Sequence, residues 1–468
     1  MSELWQLGAL ELAGKIRAGE VSSVEVLDAH LARVEAVNGS LNAIVRVLAD
    51  EARAAAEEAD RALTDGADVG PLHGVPCTVK ENIDLAGHPT TQGVPALADA
   101  IPPVDAPVVE RMRAAGAIPF ARTNLPDFGL RVHTDSTLHG LTRNPWNPAV
   151  TAGGSSGGEA ASLATGMSPI GLGNDIGGSL RNPAHCCGIA SIKPTTGVVP
   201  TASAIPPEDP LIAAQLMAVE GVMARRVADV RAGLLAVAGA HHRDPISVPA
   251  QLTDLAPVER LRIAVLPDPP GGSTDAGIAG AVRSVADRLA DAGHDVVEAA
   301  PPEYELALDL WRNLLLADIR IQLDLLNMVM GEGGRALLAA FDQESEPSEM
   351  PGVLVLHSER HRLARTWSEF FQTYPVVLSP TWAQRAFAHD ADIDPETGSE
   401  MMVDTIRPVI PANILGLPAA ITPAGVVDGL PVGVQVMGDR FTDLRCLAIA
   451  EEIESLVGTI TPIDPVTA

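Results

Sequence analysis

TAGGSSGGEAASLATG, Thr151–Gly166, sets four glycines and two serines into the six residues 153–158 and then turns abruptly apolar. Glycine opens backbone paths that a side chain would block, and clustered hydroxyls can both donate and accept protons. A phosphate cradle is one reading, because glycine-rich loops entering a helix bind anions. The Walker pattern, however, needs Lys and then Ser or Thr after its last glycine, whereas Glu159 follows Gly158 and would repel phosphate. Gly153–Gly157 also satisfies G-x-S-x-G, the nucleophile elbow, which requires a strand running straight into it. The preceding RNPWNPAVTA, Arg143–Ala152, carries two prolines and two asparagines and reads as a loop. A plain flexible loop is the third reading.

Two other segments argue against the plain loop. Ser179 lies 24 residues beyond Ser155, in GNDIGGSLRNPA, Gly173–Ala184, again behind paired glycines. Upstream, GVPCTVKENID, Gly74–Asp84, ends an apolar strand on Lys80. Of 32 Lys and Arg residues only Lys15, Lys80 and Lys193 are lysine. Arginine cannot lose its proton in a protein, whereas lysine can be tuned to do so. A retained lysine is therefore a candidate for a role in which a proton comes off.

Taken in order, GVPCTVKENID, AGGSSGGEAA, GLGNDIGGSLRNPA and CGIASIKPTTG resemble the amidase signature family. Weaker similarity runs from EGVMARRVADV to LGLPAAITPAGVVDGLPVGVQVMG, so that nearly the whole chain is covered. The resemblance implies a Ser–Ser–Lys triad, with Ser179 as nucleophile, Ser155 as bridging serine and Lys80 as base. It implies an oxyanion hole from the N–H groups of Ile176, Gly177, Gly178 and Ser179, and a cis peptide between Gly154 and Ser155. Asp175 and Arg181 are expected as a buried orienting pair, with Gly154 and Ser156 in support. Lys193 is expected to be structural. The pattern is broken at Asn174, where the family commonly has a small hydroxyl residue, and at His185-Cys186; neither is expected to touch the triad.

The chemistry asks for these residue types. A serine hydroxyl attacking an amide must lose its proton, and the amine leaving group must gain one. Ser155 can relay both transfers between Ser179 and Lys80. At a reference pKa near 10.4 roughly one lysine in 2,500 is neutral at pH 7, and lowering that by about 3 units costs about 4 kcal/mol. The apolar run Val75–Val79 offers the burial required. Consecutive N–H groups on a Gly-Gly-Ser turn would meet the developing oxyanion.

The remaining sequence bounds the class. A hydrophobic fraction of 46% with 3% aromatics predicts a large aliphatic core. A net charge of −28 speaks against nucleic-acid and anionic-membrane partners. Cys77, Cys186, Cys187 and Cys446 are too few for a disulfide framework. No basic-then-apolar leader opens the chain and no uninterrupted apolar run nears 18 residues, so a cytoplasmic location is expected. His357 and His361 do not place a glutamate as H-E-x-x-H requires, and no metal or cofactor is expected.

A capping box at Ser22 and Glu25 predicts a helix ending at Asn38-Gly39, and Glu51–Leu63 reads as another. Strands are expected at residues 75–80, 117–122, 261–266, 295–299, 376–379 and 433–437, with helices at 107–115 and 276–292. The fold expected is a single α/β domain, 1–468, with a mixed, mostly parallel central sheet covered by helices on both faces. Within it, 1–66 is a helical segment, 67–200 the core carrying the triad, and 201–468 the remainder. The reaction expected is hydrolysis of a carboxylic amide, or of an anilide, carbamate or ester, through a seryl acyl-enzyme. The substrate is a small molecule, and a homodimer is left open. The alternatives are the glutaminase subunit of a tRNA-dependent amidotransferase and a catalytically silent binding protein.

Overall fold

In a computed structural model of the chain, residues 3–250, 252, 260–343 and 349–466 are described. The strands in chain order are β1 Ile44–Val47, β2 Pro76–Lys80, β3 Ile118–Thr123, β4 Asp135–Ser136, β5 Gly140–Leu141, β6 Ile170–Asp175, β7 Ala190–Lys193, β8 Val219–Ala224, β9 Arg262–Val265, β10 Asp295–Glu298, β11 Val376–Pro380, β12 Ala419–Val427 and β13 Leu430–Gly438. Eleven of them form one sheet in the order β1-β3-β2-β6-β8-β7-β12-β13-β11-β9-β10, while β4 and β5 form a separate hairpin.

Alternation along the strands divides the molecule into two layers of core. Cys77 and Val79 of β2, Ile170 and Leu172 of β6, and Val222 and Ala224 of β8 point to one face. There the helices Ala9–Arg17, Pro107–Ala114, Val227–Val237, Ala276–Asp291 and Asp443–Val457 cover them. Met223 and Ile421 point to the other face, beneath the helices Ser23–Leu41, Gly157–Ala164 and Arg181–Cys187. Ala264, Val377, Ala419 and Met437 meet Tyr304–Val329, Met350–Phe371 and Ile410–Ile414 on that same side. The expected single α/β domain with a mixed sheet and helices on both faces is thus present. The core is chiefly aliphatic, although Trp367 and Trp382 are also fully buried.

The expectation of a mostly parallel sheet is corrected. Four of its ladders are parallel and six antiparallel. The reason is visible in β12 and β13, joined by Asp428 and Gly429 with φ of 47° and 80°. A two-residue turn with both φ values positive matches the twist of an antiparallel hairpin. The sequence reading placed a strand only at 433–437, although Asp-Gly marks this turn. A second correction concerns the helix from Ser23, which runs to Leu41 with Asn42 left-handed at φ 54°. Asn38 does not end it; its side chain instead accepts from Ala43 and Ile44 N–H and steers the chain into β1.

The site-forming region is the parallel pair β2 and β6, with Thr78 opposite Gly171 and Val79 opposite Leu172. Their carboxyl ends lie side by side, where α/β sheets open to ligands. Among the described residues no helix is long and apolar enough to cross a membrane. At the N-terminal face the capping box is complete, since Glu25 N–H donates to Ser22 Oγ at 3.1 Å and Ser22 N–H to Glu25 Oε2 at 2.8 Å. Ser22→Ala is expected to cost about 1 kcal/mol, read as a fall of about 1 °C in Tm.

Candidate active site

Lys80 ends β2 and is wholly buried, because both faces of that strand are covered. Its Nζ lies 2.8 Å from Ser155 Oγ and 2.6 Å from Asn174 Oδ1. Among the described residues no carboxylate comes within ion-pair distance. Burial pushes its pKa down to about 7, against the weaker pull of the Asp175, Glu159 and Glu220 charges. An amine at neutral pH is thereby divided between its charged and neutral forms.

Ser155 is held by the loop leading into the helix Gly157–Ala164. The Gly154–Ser155 peptide is cis. A methyl group at Gly154 would lie 2.5–2.7 Å from the backbone of residues 131–133, so only glycine fits. Ser156 precedes the helix with its Oγ buried and without a hydrogen-bond partner among the described residues. Glu159, one turn later, is interior and accepts from Thr78 and Thr123 hydroxyls. Burial pushes its pKa up to about 7, the two hydroxyls acting the other way. The sequence reading used Glu159 only to exclude phosphate; its place beneath Lys80 depends on the packing of the helix on β2 and β3.

Ser179 stands on the turn between β6 and the helix Arg181–Cys187, with 6% exposure. No hydrogen bond within the described residues reaches its Oγ. Gly178 has φ 97°, and a methyl there would meet Val409 and Trp382 at 2.8 and 3.1 Å. One at Gly177 would lie 2.8 Å from Trp311, whose indole N–H donates to Ile176 O at 2.8 Å. The four N–H groups expected to converge are not equivalent. Gly178 N–H donates to Asp175 Oδ1 at 2.8 Å, whereas those of Ile176, Gly177 and Ser179 have no acceptor among the described residues.

Asp175 and Arg181 pair inside the protein, with Arg181 Nε and Nη2 at 3.0 and 2.9 Å from the two carboxylate oxygens. Arg181 also donates to Val409 O and to Asn413 Oδ1, and Asn413 donates back to Asp175 Oδ1 at 2.9 Å. Burial alone would raise the Asp175 pKa; Arg181 and Asn413 overcome it and hold the carboxyl well below its usual range.

Lys193 is equally buried and is also lowered to about 7 by burial, with the Arg181 charge adding to the effect. Its Nζ donates to Pro194 O and Leu417 O, both at 2.9 Å, and to no hydroxyl among the described residues. Cys186 and Cys187 are packed in the core, and His185 Nδ1 accepts from Gly433 N–H. His357 and His361 lie apart on the helix Met350–Phe371.

One expectation fails. Asn174, read as lying clear of the triad, accepts from Lys80 and donates to Asn82 Oδ1 at 2.9 Å. The break in the family pattern was the signal, but the contact needs the parallel pairing of β2 with β6 to be seen. Trp311 and Asn413 carried no such signal, because each comes from a distant part of the chain; Asn82 lies two residues past Lys80 in GVPCTVKENID, but its contact with Asn174 again needs the strand pairing.

The model of the Amidase family matches residues 25–447. The chain belongs to the amidase family. Among its relatives is an indoleacetamide hydrolase of Bradyrhizobium diazoefficiens, 39% identical over 98% of this chain and 88% of that protein. One component of the glutamyl-tRNA(Gln) amidotransferase of Salinispora tropica is 32% identical over 99% of both chains. In three dimensions a fatty acid amide hydrolase matches with a TM-score of 0.86 at 26% identity, over 99% of this chain and 87% of that one. This amidase is accordingly an amide-hydrolysing enzyme.

Removing one member of a buried ion pair strands the other and typically costs 3–5 kcal/mol. Arg181→Met is expected to lower the amidase's Tm by about 3–5 °C, and Asp175→Asn added to it should recover part of the loss.

Proposed function

We propose that this amidase cleaves its substrate by nucleophilic attack of Ser179 Oγ on the amide carbonyl, forming an acyl-enzyme. Ser155 takes the Ser179 proton and passes its own to neutral Lys80; the reverse transfer protonates the departing amine or ammonia. Water then repeats the sequence to release the acid. The observation that carries this reading is the buried Lys80 amine at 2.8 Å from Ser155, with no counter-charge among the described residues in contact to hold its proton.

The N–H groups of Ile176, Gly177 and Ser179 are proposed to hold the oxyanion, each such donor being worth ~3–4 kcal/mol. Gly178 serves them indirectly, since its own N–H ties the turn to Asp175. The acid half of the substrate is proposed to be apolar, of the aryl-alkanoic kind. Trp311 donates to Ile176 O beside the turn and is shared with a hollow lined by Leu308, Leu315, Phe341 and Ile406 together with Arg312. The relative named indoleacetamide hydrolase accords with an aromatic acyl group. The amidotransferase relative supports glutamine as the competing substrate.

Ser179→Ala is expected to lose essentially all turnover in a panel of arylacetamides, anilides, aliphatic amides and glutamine; retained turnover removes Ser179 as nucleophile. Preference for glutamine over arylacetamides would overturn the substrate reading alone. Lys80→Arg keeps the charge but cannot accept the proton, and should fall at least 10³-fold. Because Lys80 acts neutral, kcat/KM should rise with pH through about 7 and level off above it. A profile flat from pH 5 to 9 would count against Lys80 as the base.

A further inference from the structure

We infer that Asn82 and Asn174 form a two-amide tether that positions Lys80 with its lone pair toward Ser155; this rests on the proton relay proposed above. A neutral amine has two N–H bonds and one lone pair, and only the lone pair can take a proton. If nothing claimed the N–H groups, Nζ would be free to turn one of them toward Ser155 and present no base. Asn174 Oδ1, at 2.6 Å from Nζ, can only accept, so it draws an N–H to its own side.

A lone asparagine would not settle the matter, because its amide can flip and bring NH₂ to the lysine. Here Asn174 Nδ2 donates to Asn82 Oδ1 at 2.9 Å, and the flipped amide would set oxygen against oxygen. As the two hydrogen bonds stand, the polarity of the chain runs from Lys80 through Asn174 to Asn82. Asn82 stands two residues past Lys80 at the end of β2, and Asn174 on the adjoining strand β6, so the tether also ties the two strand ends together.

The choice of an amide has an electrostatic reason as well. The charged groups facing Lys80 are Glu159 from the helix Gly157–Ala164, Asp175 from β6 and Glu220 from β8. Asp175 is neutralised by Arg181, while burial drives Glu159 and Glu220 toward their protonated forms, at about 7 and about 8. A carboxylate at position 174 would undo this arrangement by giving the ammonium a contact partner. A hydroxyl could orient the amine, but it could also turn round and donate to it.

The test is the pH dependence of Ser179 inactivation by a fluorophosphonate probe, which needs no knowledge of the substrate, alongside kcat and KM on the best amide of the panel. Asn174→Asp should move the midpoint of the profile up by 1 unit or more. Asn174→Leu should move it down, because a hydrogen bond that favours the charged amine is lost, and should lower kcat at least 10-fold with KM changed less than threefold. Asn82→Leu, at a half-exposed position, should lower kcat several-fold through the freed amide, and Asn174→Thr should restore part of the Leu loss. Loss of rate with an unmoved midpoint in both Asn174 variants would make the residue merely structural and overturn the inference. So would wild-type rates and midpoint in Asn174→Leu, or in Asn82→Leu should the Asn174 variants fail to fold. Ser179→Ala separates the two proposals: if it stays active, the relay itself is wrong.

Discussion

A lysine amine enclosed without a counter-ion is the constraint around which this fold is arranged. Holding Lys80 near 7 rather than 10.5 corresponds to about 5 kcal/mol of disfavoured ammonium. A surface strand could not impose that cost, because water would solvate the charge. Strand β2 can, since it runs between β3 and β6 with both faces covered. The carboxylates near enough to matter are either paired, as Asp175 is, or pushed by burial toward neutrality, as Glu159 and Glu220 are. Lys193 is equally buried but differently partnered. It feels the same desolvation, but its protons are held by two carbonyls and, among the described residues, it donates to no hydroxyl.

Three separated pieces of chain come together here: the end of β2 with Lys80, the Gly-Ser loop before the helix Gly157–Ala164, whose Ser155 touches the amine, and the end of β6, whose Asn174 touches it and which leads into the turn carrying Ser179. Asp175 is the joint of the third piece. Its oxygens accept from Gly178 and Leu180 N–H, which shapes the turn, and from Arg181, which anchors the following helix. Arg181 and Asn413 then tie the turn to the segment carrying Val409. The N–H groups of Ile176, Gly177 and Ser179 have no acceptor among the described residues.

Much of this could be read along the chain. The glycine–serine loops, the isolated lysine and their order identified the family, since close backbone approach and a tunable amine leave few residue choices. Periodicity located β2, β3, β9 and β11 to within a residue or two, because fully buried strands are short apolar runs between breakers. The capping box from Ser22 to Glu25 was legible for the same reason: it is a local hydrogen-bonding pattern.

What the sequence could not decide is direction and adjacency. Whether β12 runs parallel or antiparallel to β7 depends on which strands its apolar faces meet, and local patterns alternate alike in both cases. Asn174 was noticed as unusual, yet its contact with Lys80 exists only because β2 and β6 pair in one register. Glu159 reads as an acid after a loop until helix packing encloses it beside Thr78 and Thr123. Sequence by itself determined which chemical groups were available and how the backbone near them must bend. The tertiary structure decided which of those groups meet away from water, and proton affinity and hydrogen-bond polarity follow from that enclosure.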